Sequence, residues 1–256
     1  MMDTMNAKSQ EFLRKVPEVA LIFWVIKILA TTLGETGGDA VSMSMGLGYL
    51  VSTAIFSFIF VAVVLAQISQ RRFHPTLYWT TIIASTTVGT TLADFADRSL
   101  GIGYPGGTAI LLTLLLGSLF LWHRTLGSIA VDTVSSPKSE VFYWITIMFS
   151  QTLGTALGDW TADSAGLGYS GGVILFCAIL SIIVIIYFRT KISRTTLFWS
   201  AFVLTRPLGA VVGDFLDKPI SNGGMALSRY SASAALVFLI LSCIFIFQQK
   251  PAEQLH

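Results

Sequence analysis

The sequence predicts an all-α polytopic membrane protein: eight transmembrane helices as four parallel two-helix repeats, with pseudo-symmetry about the membrane normal. Three observations predict it. Of 256 residues, 54% are hydrophobic and 12% charged, where a soluble domain carries about 25% charged residues, and the mean hydropathy is +0.73. Apolar stretches of the length a bilayer requires, roughly 20 residues, run over about 18–38, 47–68, 75–95, 105–123, 140–160, 170–188, 195–215 and 229–247. A short pattern of aromatic, glycine and aspartate recurs four times in register.

Eight spans leave almost no chain for a soluble domain, so 1–256 reads as a single transmembrane domain. The first apolar stretch belongs to the repeat and lacks a small-residue cleavage site, so it is not read as a removable signal peptide. Cys177 and Cys243 fall mid-span and read as small packing residues, with no disulfide or metal spacing.

Aligned on tryptophan, the repeats read FWVIKILATTLGETGGD, YWTTIIASTTVGTTLAD, YWITIMFSQTLGTALGD and FWSAFVLTRPLGAVVGD, without a gap. Trp24, Trp79, Trp144 and Trp199 each precede by ten residues Gly34, Gly89, Gly154 and Gly209, and Asp39, Asp94, Asp159 and Asp214 follow five residues later. Random apolar sequence rarely places aspartate in register, so the repeat is specific. The tryptophans are 55, 65 and 55 residues apart, which puts the extra ten between units two and three, in 124–140, and suggests two fused halves. Repeat bounds follow as 17–70, 72–124, 138–190 and 193–248. With two spans per unit, all four copies enter the membrane in one direction.

Basic residues orient the chain. The tails and the linkers between units carry Lys8, Arg14, Lys15, Arg71, Arg72, Arg124, Lys138, Arg189, Lys191, Arg194 and Lys250, whereas the opposite side has only Arg98, Lys218 and Arg229. The positive-inside rule places both termini in the cytoplasm and the aspartates at the outer end. Each motif tryptophan then lies near the cytoplasmic interface and reads as an aromatic-belt anchor.

Gly34, Gly89, Gly154 and Gly209 are followed four residues on by Gly38, Ala93, Gly158 and Gly213. Small residues a turn apart let helices approach closely in lipid, so the odd helices are expected to meet there. The aspartate comes next, about 22 Å along the helix from the tryptophan, within a hydrocarbon core of about 30 Å. A second acid follows in three units, Asp97, Asp163 and Asp217; the first unit has Glu35 ahead of Asp39 and Met43 in the place of the second acid. Acids at such depth are costly and normally face a polar cavity, a partner or an ion.

Two readings compete for Glu35, Asp39, Asp94, Asp97, Asp159, Asp163, Asp214 and Asp217. In one they cap turns and pair with Arg98, Lys218 and Arg229. In the other, converging carboxylates hold a cation, and oxygen ligands suit Mg²⁺, Ca²⁺ or Mn²⁺. His74, His123 and His256 fall at helix ends or in the tail and form no cluster with cysteine, against zinc, copper or haem. The glycine-rich GLGY, GIGYPGG, GLGYSGG and SNGG that follow read as tight turns into the second helix. No phosphate-binding glycine loop is present. Lys27 and Arg206 are the cations inside spans, and a ring of repeats would bring one of them to Glu35 as an ion pair or as a tethered, competing cation.

With that register the chain resembles a family of bacterial integral membrane proteins made of four tandem two-helix, tryptophan-bearing repeats of unknown function. The resemblance covers nearly the whole chain and implies the fold; it carries over no functional residue. The expectation drawn from the acids is a transporter or channel for a small cation, above all a divalent metal, exchanged for protons in an efflux version. A membrane scaffold or complex subunit with structural acids is the alternative. An intramembrane aspartyl enzyme is set aside, because the motif is G-x-x-x-G-D and four equivalent acids are not a dyad. No cofactor and no nucleic-acid partner is expected; the partners are the bilayer of a bacterial cytoplasmic membrane and the cation, and homo-oligomerisation stays open.

Overall fold

The computed structural model describes residues 14–252; Lys8 and His256 lie outside the described residues. It contains eight α-helices: α1 (Leu21–Asp39), α2 (Gly48–Ser69), α3 (Pro75–Asp94), α4 (Tyr104–Leu126), α5 (Pro137–Asp159), α6 (Gly168–Arg189), α7 (Arg194–Asp217) and α8 (Arg229–Ile246). Each coincides with one of the expected spans. Proline opens α3 and α5 and sits in the first turn of α4, where its fixed φ and missing N–H suit a helix start. Ser136 and Ser139 add reciprocal hydrogen bonds that cap α5. The G-x-G pairs entering α2, α4 and α6 have positive φ at both glycines, 70° and 74° at Gly46 and Gly48 for example, as the tight-turn reading requires.

The odd helices form an inner ring: α1 packs on α3 and α7, and α5 lies between α3 and α7. The even helices form an outer layer, each on the inner helix of the next repeat, with α2 on α3, α4 on α5, α6 on α7, and α8 closing the circle on α1. No repeat buries its core alone, which is why four are fused. Six helices are long and apolar enough to cross a membrane, while α3 and α5 are not among them. The buried Thr81, Ser85, Thr87 and Thr91 hydroxyls of α3 and the Thr152 hydroxyl of α5 bond to carbonyls three or four residues earlier in the same helix, which lets hydroxyl-bearing helices lie inside the ring at little cost.

The four motif glycines are the seats of that ring. A Cβ on Gly34 would meet Thr86 of α3, one on Gly89 would meet Gln151 of α5, one on Gly154 would meet Arg206 of α7, and one on Gly209 would meet Thr31 of α1, the nearest atoms lying between 2.1 and 2.9 Å away. Thr31, Thr86, Gln151 and Arg206 all stand seven residues after the tryptophan. The contact is thus cyclic, each inner helix placing the same repeat position on the glycine of its neighbour, and the close approach inferred from small residues is what the helices adopt.

The tryptophans depart from expectation. Trp79, Trp144 and Trp199 are buried rather than placed in an aromatic belt. They pack with Phe23, Tyr78, Tyr143, Phe198 and Phe202 into a plug at the end of the inner ring opposite the aspartates. The reason is the residue before each tryptophan: Phe23, Tyr78, Tyr143 and Phe198 are also large aromatics, and all four are fully buried or nearly so. Aromatic edges and faces satisfy one another there. The Trp79 and Trp199 indoles donate to Gln249 and to the Ile129 carbonyl at 2.8 and 2.9 Å, and the Tyr78 and Tyr143 hydroxyls lie 2.6 Å apart.

Candidate functional site

All four inner helices run in one direction, so their C-termini converge at the aspartates. Each carries roughly half a negative charge at that end, which favours cations and disfavours further anions. Four buried carboxylates, Asp39, Asp94, Asp159 and Asp214, nevertheless stand there. In α1, α3 and α5 the aspartate is followed at once by a π-helical turn, 40–44, 95–99 and 160–164, while α7 stays α-helical through Asp217. Single π turns inside helices are frequent at functional sites.

Basic residues answer this charge with two-fold rather than four-fold order. Arg98 lies 3.0 Å from both Asp94 and Asp159. Lys218 lies 2.9 Å from Asp214 and 2.6 Å from Asp39. Each basic residue follows its own aspartate by four positions and clips it to the aspartate of the next inner helix. In units one and three that position holds Met43 and Asp163. Arg229, at the head of α8, pairs with Asp217 at 2.8 Å and reaches Asp39 at 3.7 Å.

Deeper in the ring, Glu35 and Arg206 form an ion pair at 3.0 Å. This is the pairing expected of adjacent first and fourth units. Lys27 is not the partner; its ammonium faces the Phe202 ring at 4.0 Å and Thr205 Oγ1 at 3.3 Å. Arg206 Nη2 also donates to Thr90 Oγ1 at 2.6 Å and to Thr155 Oγ1, so one nitrogen touches all three other inner helices.

The ion-paired network therefore holds six carboxylates, Glu35, Asp39, Asp94, Asp159, Asp214 and Asp217, against four bases, Arg98, Arg206, Lys218 and Arg229. Two groups of three carboxylates have oxygens within 4.8 Å of one another: Glu35, Asp159 and Asp214, and Asp39, Asp214 and Asp217. Asp39 Oδ1 is buried without a hydrogen-bond partner. Both groups have the oxygen chemistry of a hard cation.

Of the eight candidate acids the structure brings five into these groups. Asp94 stays in the network through Arg98 but joins neither group. Asp97 turns away and sits against Gly107 in the first turns of α4. Asp163 is exposed and accepts from the Tyr104 hydroxyl at 3.2 Å. The wider π turn carries Asp97, three residues on, off the face of Asp94, while position four stays on that face, as the Arg98–Asp94 pair shows. Asp163 stands at position four and is engaged outward by Tyr104. Thr90 and Thr155 were not singled out from the sequence, although their register was legible: they occupy the Glu35 position in units two and three.

A family described as a Repeat of Unknown Function (DUF347) matches residues 22–73, 77–128, 142–193 and 197–250. The chain belongs to it. The matched segments are the four two-helix units, each DUF347 repeat supplying one inner and one outer helix. Comparison with curated proteins and with solved structures gives no match.

Proposed function

We propose that this DUF347 protein is a membrane carrier for a small cation, a divalent metal such as Mn²⁺, Mg²⁺ or Ca²⁺, exchanged for protons. The observation that carries the reading is the charge of the buried network: six carboxylates against four bases leave two negative charges beside four helix C-termini. One divalent ion matches that excess, and so do two protons. Glu35, Asp159 and Asp214 are the central ligands in this reading, with Asp39 and Asp217 beside them. Arg206, Arg98 and Lys218, the partners of Glu35, Asp159 and Asp214, are the groups that a bound ion would displace. The excess of basic residues at the tryptophan end supports termini in the cytoplasm and carboxylates outside, in a bacterial cytoplasmic membrane, by the positive-inside rule. The buried aromatic plug closes the cytoplasmic half, so the site faces the outer side.

A scaffold reading has one observation in its favour, since every network carboxylate already has a basic partner. Flux of Mn²⁺ and Ca²⁺ into proteoliposomes separates the two. Asp159→Asn and Asp214→Asn are expected to fold and to lose flux, because asparagine keeps shape and hydrogen bonding but not charge. Wild-type flux in both variants, or none in the wild type, sinks the carrier.

A further inference from the structure

Eleven residues after the tryptophan, the inner helices carry Glu35, Thr90, Thr155 and Ala210. Three of the four present an oxygen, and all three oxygens meet one nitrogen: Arg206 Nη2 lies 3.0 Å from Glu35 Oε2, 2.6 Å from Thr90 Oγ1 and within hydrogen-bond distance of Thr155 Oγ1. The fourth helix has no oxygen at this level. In its place α7 offers a methyl group and, one turn earlier, the arginine that fills the cage. Everything in it is buried: Arg206, Thr90 and Thr155 are 0% exposed and Glu35 is 3% exposed.

We propose that this cage is a second cation position, on the inner side of the Glu35–Asp159–Asp214 group and sharing Glu35 with it, which is selective for a monovalent alkali ion and which the Arg206 guanidinium occupies as a tethered cation. One carboxylate and two hydroxyls are hard ligands carrying a single negative charge, so a +1 ion is neutralised and a divalent ion would leave buried charge uncompensated. The guanidinium is an imperfect tenant. Its Nε and Nη1 are buried without hydrogen-bond partners, where buried donors are almost always paired. At the level of Arg206 itself, Thr86 Oγ1, Ser150 Oγ and the whole amide of Gln151 are also buried and unpartnered. Arg206 therefore has unmatched donors at a level where unmatched hydroxyl and amide acceptors stand, which is the arrangement of a plug with a second resting place one turn toward the plug of aromatics. Leaving the cage for that level would expose its three oxygens to an ion.

The test is thermal unfolding of the purified full chain in LiCl, NaCl, KCl or N-methylglucamine chloride at constant ionic strength. Arg206→Met removes the tethered charge and keeps much of the volume. Its midpoint should rise saturably with one of the alkali ions over N-methylglucamine, while wild type, with the site filled, stays flat. Arg206→Met combined with Glu35→Gln should be flat again. A folded Arg206→Met with no alkali response overturns the proposal. Should that variant be too unstable to purify in N-methylglucamine, its yield after solubilisation in each salt is the readout. Rescue by an alkali ion supports the cage, and equal loss in all four salts contradicts it. The cage shares Glu35 with the carrier reading, but its two hydroxyls, Thr90 and Thr155, belong to neither carboxylate group, and its readout is an alkali ion in Arg206→Met rather than a divalent ion in wild type. Wild type showing no divalent flux would leave the alkali response of Arg206→Met standing, and the reverse also holds.

Discussion

The two ends of the inner ring are built from the same four helices in the same register, yet they close it by opposite means. At one end Phe23, Tyr78, Tyr143, Phe198 and three tryptophans pack into an uncharged plug. At the other, six carboxylates and four bases interlock. Aromatic packing tolerates four similar side chains around an axis, so the plug keeps most of the repeat symmetry. Charges do not: like carboxylates facing one another need cations between them, and two clips, Arg98 and Lys218, serve four aspartates. The ring is four-fold in backbone and two-fold in electrostatics.

Breaking a clip should have the largest effect. Lys218→Met leaves Asp39 and Asp214 without their shared cation, and losing one partner of a buried pair costs about 3–5 kcal/mol. Restoring part of that stability with Asp214→Asn in the same chain is the expected sign that charge, rather than packing, is responsible. Denaturation midpoints of the single and double variants measure it. An intermediate effect is expected midway between the ends, where Gly154→Leu must displace Arg206 and Pro207. Overpacking of this kind costs roughly 1–3 kcal/mol, against little change for Ile174→Leu, whose side chain is 70% exposed. Equal tolerance at the two positions would remove the glycines from the ring contact.

At the aromatic end, Tyr78→Phe deletes the hydroxyl pair with Tyr143, which is worth about 1 kcal/mol, and should leave ion flux unchanged because no charge is involved. The smallest effect is expected at Asp163→Asn. That side chain is exposed, and stability should move by no more than about 0.5 kcal/mol with flux retained. A large loss of flux there would return the second acids to the ion site and undo the distinction between Asp163 and Asp217.

The sequence made the architecture legible because its signals are periodic. Trp24 through Asp39 and its three copies set helix number, direction and the contact at the glycines, and closing the ring brought Lys27 or Arg206 to Glu35, of which the structure pairs Arg206. The fate of the tryptophans was not legible from position alone, since an aromatic ten residues before a packing glycine suits an interface or a core equally well. What decided it was the second aromatic before each tryptophan, which turns the pair into a filled cross-section. The division of labour among second acids was hidden for another reason. Asp97 and Asp217 stand at the same repeat position, three after the motif aspartate, and what separates them is structural: a π turn over 95–99 where α7 stays α-helical, and the Arg229 partner of Asp217.

The central claim is that the network's two surplus negative charges are the place of a divalent ion or of protons. Metal binding that displaces protons releases them in proportion, so titration calorimetry of the wild-type protein with Mn²⁺, run in buffers of different ionisation enthalpy, reads the exchange directly. The account predicts saturable binding with about two protons released per ion at low pH, fewer as pH rises, and none bound by Asp159→Asn. Binding with no proton release at any pH, or no binding of Mn²⁺, Mg²⁺ or Ca²⁺ at all, would contradict it.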